Sequence, residues 1–311
     1  MNRFPFKHGW DALALGRILL KGDPICGRRL DLETRLECLR FYFRTGDVHR
    51  LHAALPRSGH LWSELGMALA IDLANGNDGE YTYEEGLFYP TNGLGYRRLD
   101  WRIPTGAIDT MYNRRTGPAL GPLLYYHSRH PYFRIRSARL KDMRIVVLVR
   151  SILDSLESRY VKFALSTKHP EVTLATDSGF DWDSAIDRSI EFFNSWGDVL
   201  TWHPHARLYR FEDLKSDEVG SHKEILDFWG FDVPEDCIAE GFRRASKAEM
   251  RERIPAELRD GNLQVGNRTR SQAGALPDAR KRHIIDRLRR GLIHDMGYNF
   301  TYDMQYGINY G

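Results

Sequence analysis

The order of segments along this chain predicts an α/β fold, a single domain whose central parallel sheet is flanked by helices. Three observations lead there. Two short apolar runs, residues 51–55 and RIVVLV at 144–149, have the length and composition of strands covered on both faces. Between and after them, apolar residues recur every three or four positions, the spacing of helices packed on a core. The first run also ends in Pro56-Arg57-Ser58-Gly59, a tight basic turn leading straight into helical spacing. Strands that alternate with helical spans suit a doubly wound sheet better than segregated layers.

Each element follows in order. Residues 1–50 form an N-terminal helical segment packed on the core; its second helix, 31–44, carries Leu32, Leu36, Leu39 and Phe43 on one face. Residues 51–298 form the main domain. After strand 51–55, Leu61, Leu65, Leu69 and Leu73 recur every four residues and mark a buried helix, which Asn75-Gly76-Asn77-Asp78-Gly79 ends. Residues 80–121 are aromatic, rich in Gly and Pro, and without period, the signature of a functional loop. Its aromatics either wall an acceptor or simply pack the loop. PLLYYH at 122–127 reads as a strand ending in histidine. The helix after strand 144–149 has Ser151 as N-cap and Asp154 three residues on, a capping-box pattern. A helix at 183–202 presents Ile186, Ile190 and Phe193, a strand spans 206–211, and a helix at 217–229 is closed by Gly230. Pro234 opens another helix with Ile238 and Phe242 inward, and 255–275 is a second substrate or cofactor loop. A last helix, 277–295, turns Ile284, Ile285, Leu288 and Leu292 inward, with a basic solvated face. A tail, 299–311, ends the chain.

With 42% hydrophobic and 28% charged residues, the 311-residue chain has the makeup of a globular protein with a sizeable core. Its net charge of +3 is too balanced to point to nucleic acid, yet leaves room for a local anion pocket. Cys26, Cys38 and Cys237 make neither a metal pattern nor a disulfide framework, which suits a reducing cytoplasm. The N-terminus reads as neither signal peptide nor anchor, and no run reaches the roughly 18 apolar residues that span a bilayer.

Strand, tight basic turn and helix together make an anion site. Gly59 lets the backbone come close, the first helical N–H groups lack partners, and Arg57 adds full charge to the helix dipole. The GxxxxGK[ST] spacing of a P-loop NTPase is absent. LPRSGHLW instead resembles the 5′-phosphosulfate loop of sulfotransferases that use 3′-phosphoadenosine 5′-phosphosulfate (PAPS), usually P-(K/R)-S-G-T-T-W after the first core strand. Arg57, Ser58, Gly59 and Trp62 match it. His60 and Leu61 replace the two threonines whose hydroxyls the resemblance would set on the 5′-phosphate.

A second stretch, LVRSILDSLESRY, places Arg150 after a buried strand and Ser158 eight residues on, two helical turns away. Strand-end residues in such sheets point into the crevice where ligands bind. The same family spaces the arginine and serine of its 3′-phosphate site as R-x7-S, which implies charge-assisted bonds from Arg150 and a hydroxyl bond from Ser158. YRFEDLKSD resembles the family's Y-E-D-(L/M) segment, with Phe211 where an adenine-contacting tyrosine usually stands. RRASKAEMRE resembles its TSFxxMK segment, which implies Ser246 as a nucleotide contact and puts Lys247 in place of an adenine-facing phenylalanine. Trp62 would then be the main purine-stacking surface. The closing R-K-G-x-x-G motif has only approximations, Arg259-Asp260-Gly261 and GNRTRSQAG. Arg268 and Arg270 of the second sit nearer the final helix and are favoured.

The family's base is a histidine at a strand end, about twenty-two residues before the 3′-phosphate arginine, usually within K-(T/S)-H. In LLYYHSRHP, His127 lies 23 residues before Arg150 and His130 lies 20 before it. His127 ends the apolar strand and is favoured. Tyr125 holds the position of the family's lysine. The resemblance thus implies a cytoplasmic, PAPS-dependent sulfotransferase that needs no metal and releases adenosine 3′,5′-bisphosphate, with Arg57 and His127 as catalytic groups. Its partner would be a small-molecule acceptor, a hydroxyl or amine compound, and not nucleic acid or membrane. Glu84, Glu85, Asp100 and Asp109 hint at a polar or cationic one. The alternatives are a P-loop-like small-molecule kinase, disfavoured by the missing Walker lysine, and a non-catalytic nucleotide-binding protein.

Overall fold

The two apolar runs become neighbouring strands at the centre of one parallel sheet. The structure, a computed structural model, describes residues 50–84, 87–90, 96–98, 108–111, 144–164, 179–256 and 276–300. Its strands are β1 (Arg50–Ala54), β2 (Tyr81–Glu84), β3 (Leu87–Pro90), β4 (Tyr96–Arg98), β5 (Ile108–Met111), β6 (Arg144–Val149) and β7 (Ala206–Arg210). Its helices are α1 (His60–Ala74), α2 (Ile152–Ala164), α3 (Trp182–Trp202), α4 (Phe211–Ser216), α5 (Glu218–Trp229), α6 (Glu235–Arg244), α7 (Lys247–Glu252) and α8 (Asp278–Gly291). The main sheet runs β4-β5-β1-β6-β7, every pair parallel, and β2 and β3 form a separate antiparallel hairpin.

Residues 145 to 149 of β6 are all 0% exposed, and alternate side chains enter opposite layers. Leu51, Ala53, Ile145, Val147 and Val149 pack against Ile152, Leu156 and Tyr160 of α2, Ile186 and Phe193 of α3, and Ile284 and Leu288 of α8. Ala54, Val146 and Leu148 pack against Met67 and Ile71 of α1, Ile225 and Trp229 of α5, and Ile238 and Phe242 of α6. Burying one such side chain contributes about 1.5–3 kcal/mol, so the double-sided core is what fixes β1 beside β6. The chain leaves β1 toward β5 and β4 but leaves β6 toward β7, so connections part at the β1/β6 boundary. In open sheets of this kind ligands bind beside such a boundary, at the strands' carboxyl ends.

The opposite, amino ends are stapled by arginines. Arg50 Nε donates to the Trp229 carbonyl at 2.6 Å and Arg144 Nη1 to the Phe228 carbonyl at 2.7 Å. The indole of Trp229 donates back to the Arg144 carbonyl at 3.1 Å. These carbonyls end α5, where a helix has acceptors without internal partners.

Three expectations change. Residues 80–121, read as irregular, contain β2, β3, β4 and β5, and β5 is the sheet neighbour of β1. Strand 206–211 stops a residue early, because Phe211 opens α4, whose first turn carries Glu212 and Asp213 where a helix dipole favours acids. The last helix ends at Gly291 rather than 295. Asn194 of α3 takes the chain there, donating to the Gly291 carbonyl at 2.8 Å and accepting from the Ile293 amide at 2.7 Å. The N-terminal segment 1–49, the proposed strand 122–127, most of loop 255–275 and the tail from 301 lie outside the described residues.

Candidate active site

The turn after β1 is built from two left-handed residues. Arg57 has φ +71°, uncommon for a side-chain-bearing residue, and Gly59 has φ +83° just before α1. The Ser58 amide donates to the Leu55 carbonyl at 3.0 Å and closes the turn. Gly59 is required twice over: its φ favours glycine, and a Cβ there would collide with the ring of Phe211. The first amides of α1, ahead of the Ser63 amide that donates to the Gly59 carbonyl at 3.0 Å, have no carbonyl inside the helix to pair with. Ser58 is fully buried, and its Oγ has no hydrogen-bond partner among the described residues. His60 is buried beside it, while Leu61 is half-buried.

The second half of the site comes from β6 and α2. Ser158 lies two turns up α2, and its Oγ accepts from Arg57 Nε at 3.1 Å. Arg150, 8% exposed, extends a guanidinium toward the Arg57 carbonyl at 3.5 Å and lies over the Phe211 ring, 4.9 Å from its centroid. Arg57, Ser158 and Arg150, expected to serve two ends of one ligand, thus form a continuous basic floor. Phe211 is the wedge beneath it, touching Gly59 on one side and Arg150 on the other.

Ser151 stands at the N-cap of α2 as read, its carbonyl accepting from the Ser155 amide at 2.9 Å, but the capping-box bond assigned to Asp154 is made elsewhere. The Ser151 amide donates to Glu212 Oε1 at 3.4 Å, so a residue 61 positions away takes the bond assigned to the local acid. The other carboxylate oxygen of Glu212 accepts from the Tyr298 phenol at 2.6 Å. Nothing local in the sequence signals this; the one hint is that Glu212 follows the Phe211 already singled out.

Trp62 packs edge-on with Phe211, Phe242 and His222, ring centroids 6.1, 5.1 and 5.2 Å away. Lys215 Nζ lies 3.6 Å from the centroid of its indole, a contact the sequence did not announce. Ser246 is the N-cap of α7, its Oγ accepting from the Glu249 amide at 3.4 Å. Below the loop, His222 is buried between the Glu218 carbonyl and Ser63 Oγ. His52 of β1 is buried 3.8 Å from Glu64. Burial holds both imidazoles far below their usual range, His52 at about 3 and His222 at about 4.

His127, His130, Tyr125, Arg129, Arg259, Arg268 and Arg270 lie outside the described residues, as do Glu85 and Asp100. Asp109 sits on β5 opposite Leu51. Among the described residues no group of three or more His, Cys, Asp or Glu is arranged to hold a metal ion, and no helix is long and apolar enough to cross a membrane.

The chain as a whole is similar to known proteins. A family model described as the sulfotransferase domain matches residues 53–273. Sulfotransferase 1A1 of Rattus norvegicus is 28% identical over 139 residues, 40% of this chain and 45% of that protein. Sulfotransferase 1A1 of Bos taurus is 28% identical over 120 residues, 36% of this chain and 38% of that one. Both alignments therefore span less than half of the relative's length. Mouse sulfotransferase SULT7A1, solved in complex with PAP, shares the fold: its TM-score is 0.52 at 17% identity, over 82% of this chain and 88% of that chain.

Proposed function

We infer function from one premise: this chain belongs to the sulfotransferase domain family. We propose that it moves the sulfonyl group of PAPS to a hydroxyl or amine of a small-molecule acceptor. The observation that carries this reading is the bond between Arg57 and Ser158, residues 101 apart in sequence, which joins two anion half-sites into one floor.

The residues present fit such a nucleotide. A fully buried Ser58 hydroxyl without a partner among the described residues is a donor waiting for an acceptor. Gly59 keeps clear the space that a side chain would contest with Phe211. When bound, PAPS supplies the sulfur: the acceptor oxygen or nitrogen bonds to it as the bond to the bridging phosphate oxygen breaks, and adenosine 3′,5′-bisphosphate leaves with the electron pair. Arg57, Ser58 and the first amides of α1, beginning at His60, Leu61 and Trp62, would hold the 5′ end. Arg57 would also neutralise charge that grows on the departing oxygen, an interaction strongest in the transition state. Arg150 and Ser158 would take the 3′-phosphate, with Arg268 and Arg270 closing over it. Trp62, Phe211 and Ser246 would bound the adenine. His127 would receive the acceptor's proton, a task suited to an imidazole that titrates near neutrality.

Calorimetric titration with adenosine 3′,5′-bisphosphate against magnesium ADP tests the reading. Tighter binding of the bisphosphate is expected; preference for magnesium ADP would make the protein a kinase-like enzyme instead. For the base, His127→Ala should bind the bisphosphate normally and lose most sulfonation, with His130→Ala far milder. The reverse pattern would move the base to His130, and full activity in both would remove a histidine base altogether. A polar or cationic acceptor and a cytoplasmic setting complete the proposal, resting on the acids of the 80–121 segment and on the cysteine pattern.

A further inference from the structure

Glu212 stands where three parts of the molecule meet. It belongs to the first turn of α4, directly after Phe211, whose ring lies beneath the Arg150 guanidinium. One carboxylate oxygen accepts from the backbone amide of Ser151, the residue that follows Arg150 and precedes α2. The other accepts from the phenol of Tyr298, in the segment after α8. Two consecutive residues therefore hold Arg150 from two sides, Phe211 through the side chain and Glu212 through the backbone. The carboxylate also lies at the amino end of α2, where a negative charge is favoured. Burial, followed by the Glu212 charge, pushes the Tyr298 phenol well above its usual range, so it stays a donor at every physiological pH.

We propose that Glu212 is a positioning residue for Arg150, and that through Tyr298 it ties the C-terminal segment to the 3′-phosphate end of the nucleotide. This rests on the sulfotransferase reading of Arg150 given above. Arg150 is useful only if its guanidinium is aimed before the ligand arrives, since fixing a long side chain during binding costs affinity. Neither Phe211 nor Glu212 meets the phosphate in this account; they set the arginine that does.

The test is calorimetry on the full chain with two probes, adenosine 3′,5′-bisphosphate and adenosine 5′-monophosphate. The ratio of their dissociation constants reads the 3′-phosphate contact alone, whereas general loosening moves both constants together. Glu212→Ala should lower the preference for the bisphosphate about three- to tenfold, the worth of one lost hydrogen bond. Glu212→Gln still offers an oxygen to Ser151 and an N–H to Tyr298, and should stay within about twofold of wild type. If Glu212→Ala does not fold, Tyr298→Phe carries the test with an expected loss of about twofold. An unchanged ratio in the variant that carries the test, or equal losses in Glu212→Ala and Glu212→Gln, would overturn the inference while leaving the nucleotide assignment intact. Wild-type protein that binds both probes equally would remove that assignment, and the inference with it.

Discussion

Arg57 is held in a conformation that few side-chain-bearing residues adopt, and its charge lands on Ser158 as a result. Strain of this kind persists where the surroundings over-determine it. Replacing Arg57 with Ala should therefore lower kcat more than it raises KM for PAPS, and steady-state kinetics with an unchanged kcat would remove the transition-state role. Arg150→Ala should weaken adenosine 3′,5′-bisphosphate by roughly 1.5–3 kcal/mol, measured by calorimetry on folded protein. Ser58 separates binding from stability. Its buried hydroxyl has no partner among the described residues to lose, so Ser58→Ala should unfold at the same denaturant concentration as wild type or higher. It should nonetheless bind the nucleotide about 0.5–1.5 kcal/mol more weakly. A variant that loses stability and keeps affinity would mean the hydroxyl serves the fold.

At the scale of elements, helix α1 sets the loop, and α6 sets α1. A Cβ on Gly241 would meet the Ala70 amide nitrogen and the Gly66 carbonyl oxygen, both at 2.7 Å and both backbone. Neither can yield as a side chain does, so Gly241→Ala should cost about 1–3 kcal/mol of stability in denaturant unfolding. It should also weaken nucleotide binding, because the displaced helix carries the anion loop at its start; unchanged affinity would show that the loop holds itself. The sequence made Ile238 and Phe242 legible as the inner face of α6, and it made the basic turn before α1 and the Arg150/Ser158 spacing legible as well. Those signals are local: a spacing, a turn, a charge after an apolar run. What escaped was non-local or too short. β4 and β5 have three and four residues, too few for a period to show. The amide of Ser151 went to Glu212 across 61 positions, and Lys215 reached Trp62 from another element.

At the scale of the whole molecule, burial holds two imidazoles of the core, His52 and His222, in the neutral form. Unfolding would return His52 and His222 to a pKa near the ordinary 6.5, while folded they sit at about 3 and about 4. Between those limits the unfolded chain binds more protons, so stability is full above about pH 6.5 and falls as the pH drops below it. The unfolding free energy from denaturant titration should decline from pH 7 to pH 5, before most carboxylates titrate, with a limiting slope of about 2.7 kcal/mol per pH unit for two protons. A flat profile over that interval would mean the imidazoles are hydrated in solution. The arginine staples at the amino ends of β1 and β6 have a consequence for motion. With Arg50 and Arg144 gripping the last carbonyls of α5 at 2.6 and 2.7 Å, the sheet is clamped along one rim, whereas the rim that carries the basic turn is tied by the longer Arg57–Ser158, Ser151–Glu212 and Arg150–Arg57 bonds of 3.1, 3.4 and 3.5 Å. Deuterium should thus enter the amides of Ser58 and Ser151 well before those of Leu51 and Ile145, a gradient along each strand that a bound nucleotide would flatten.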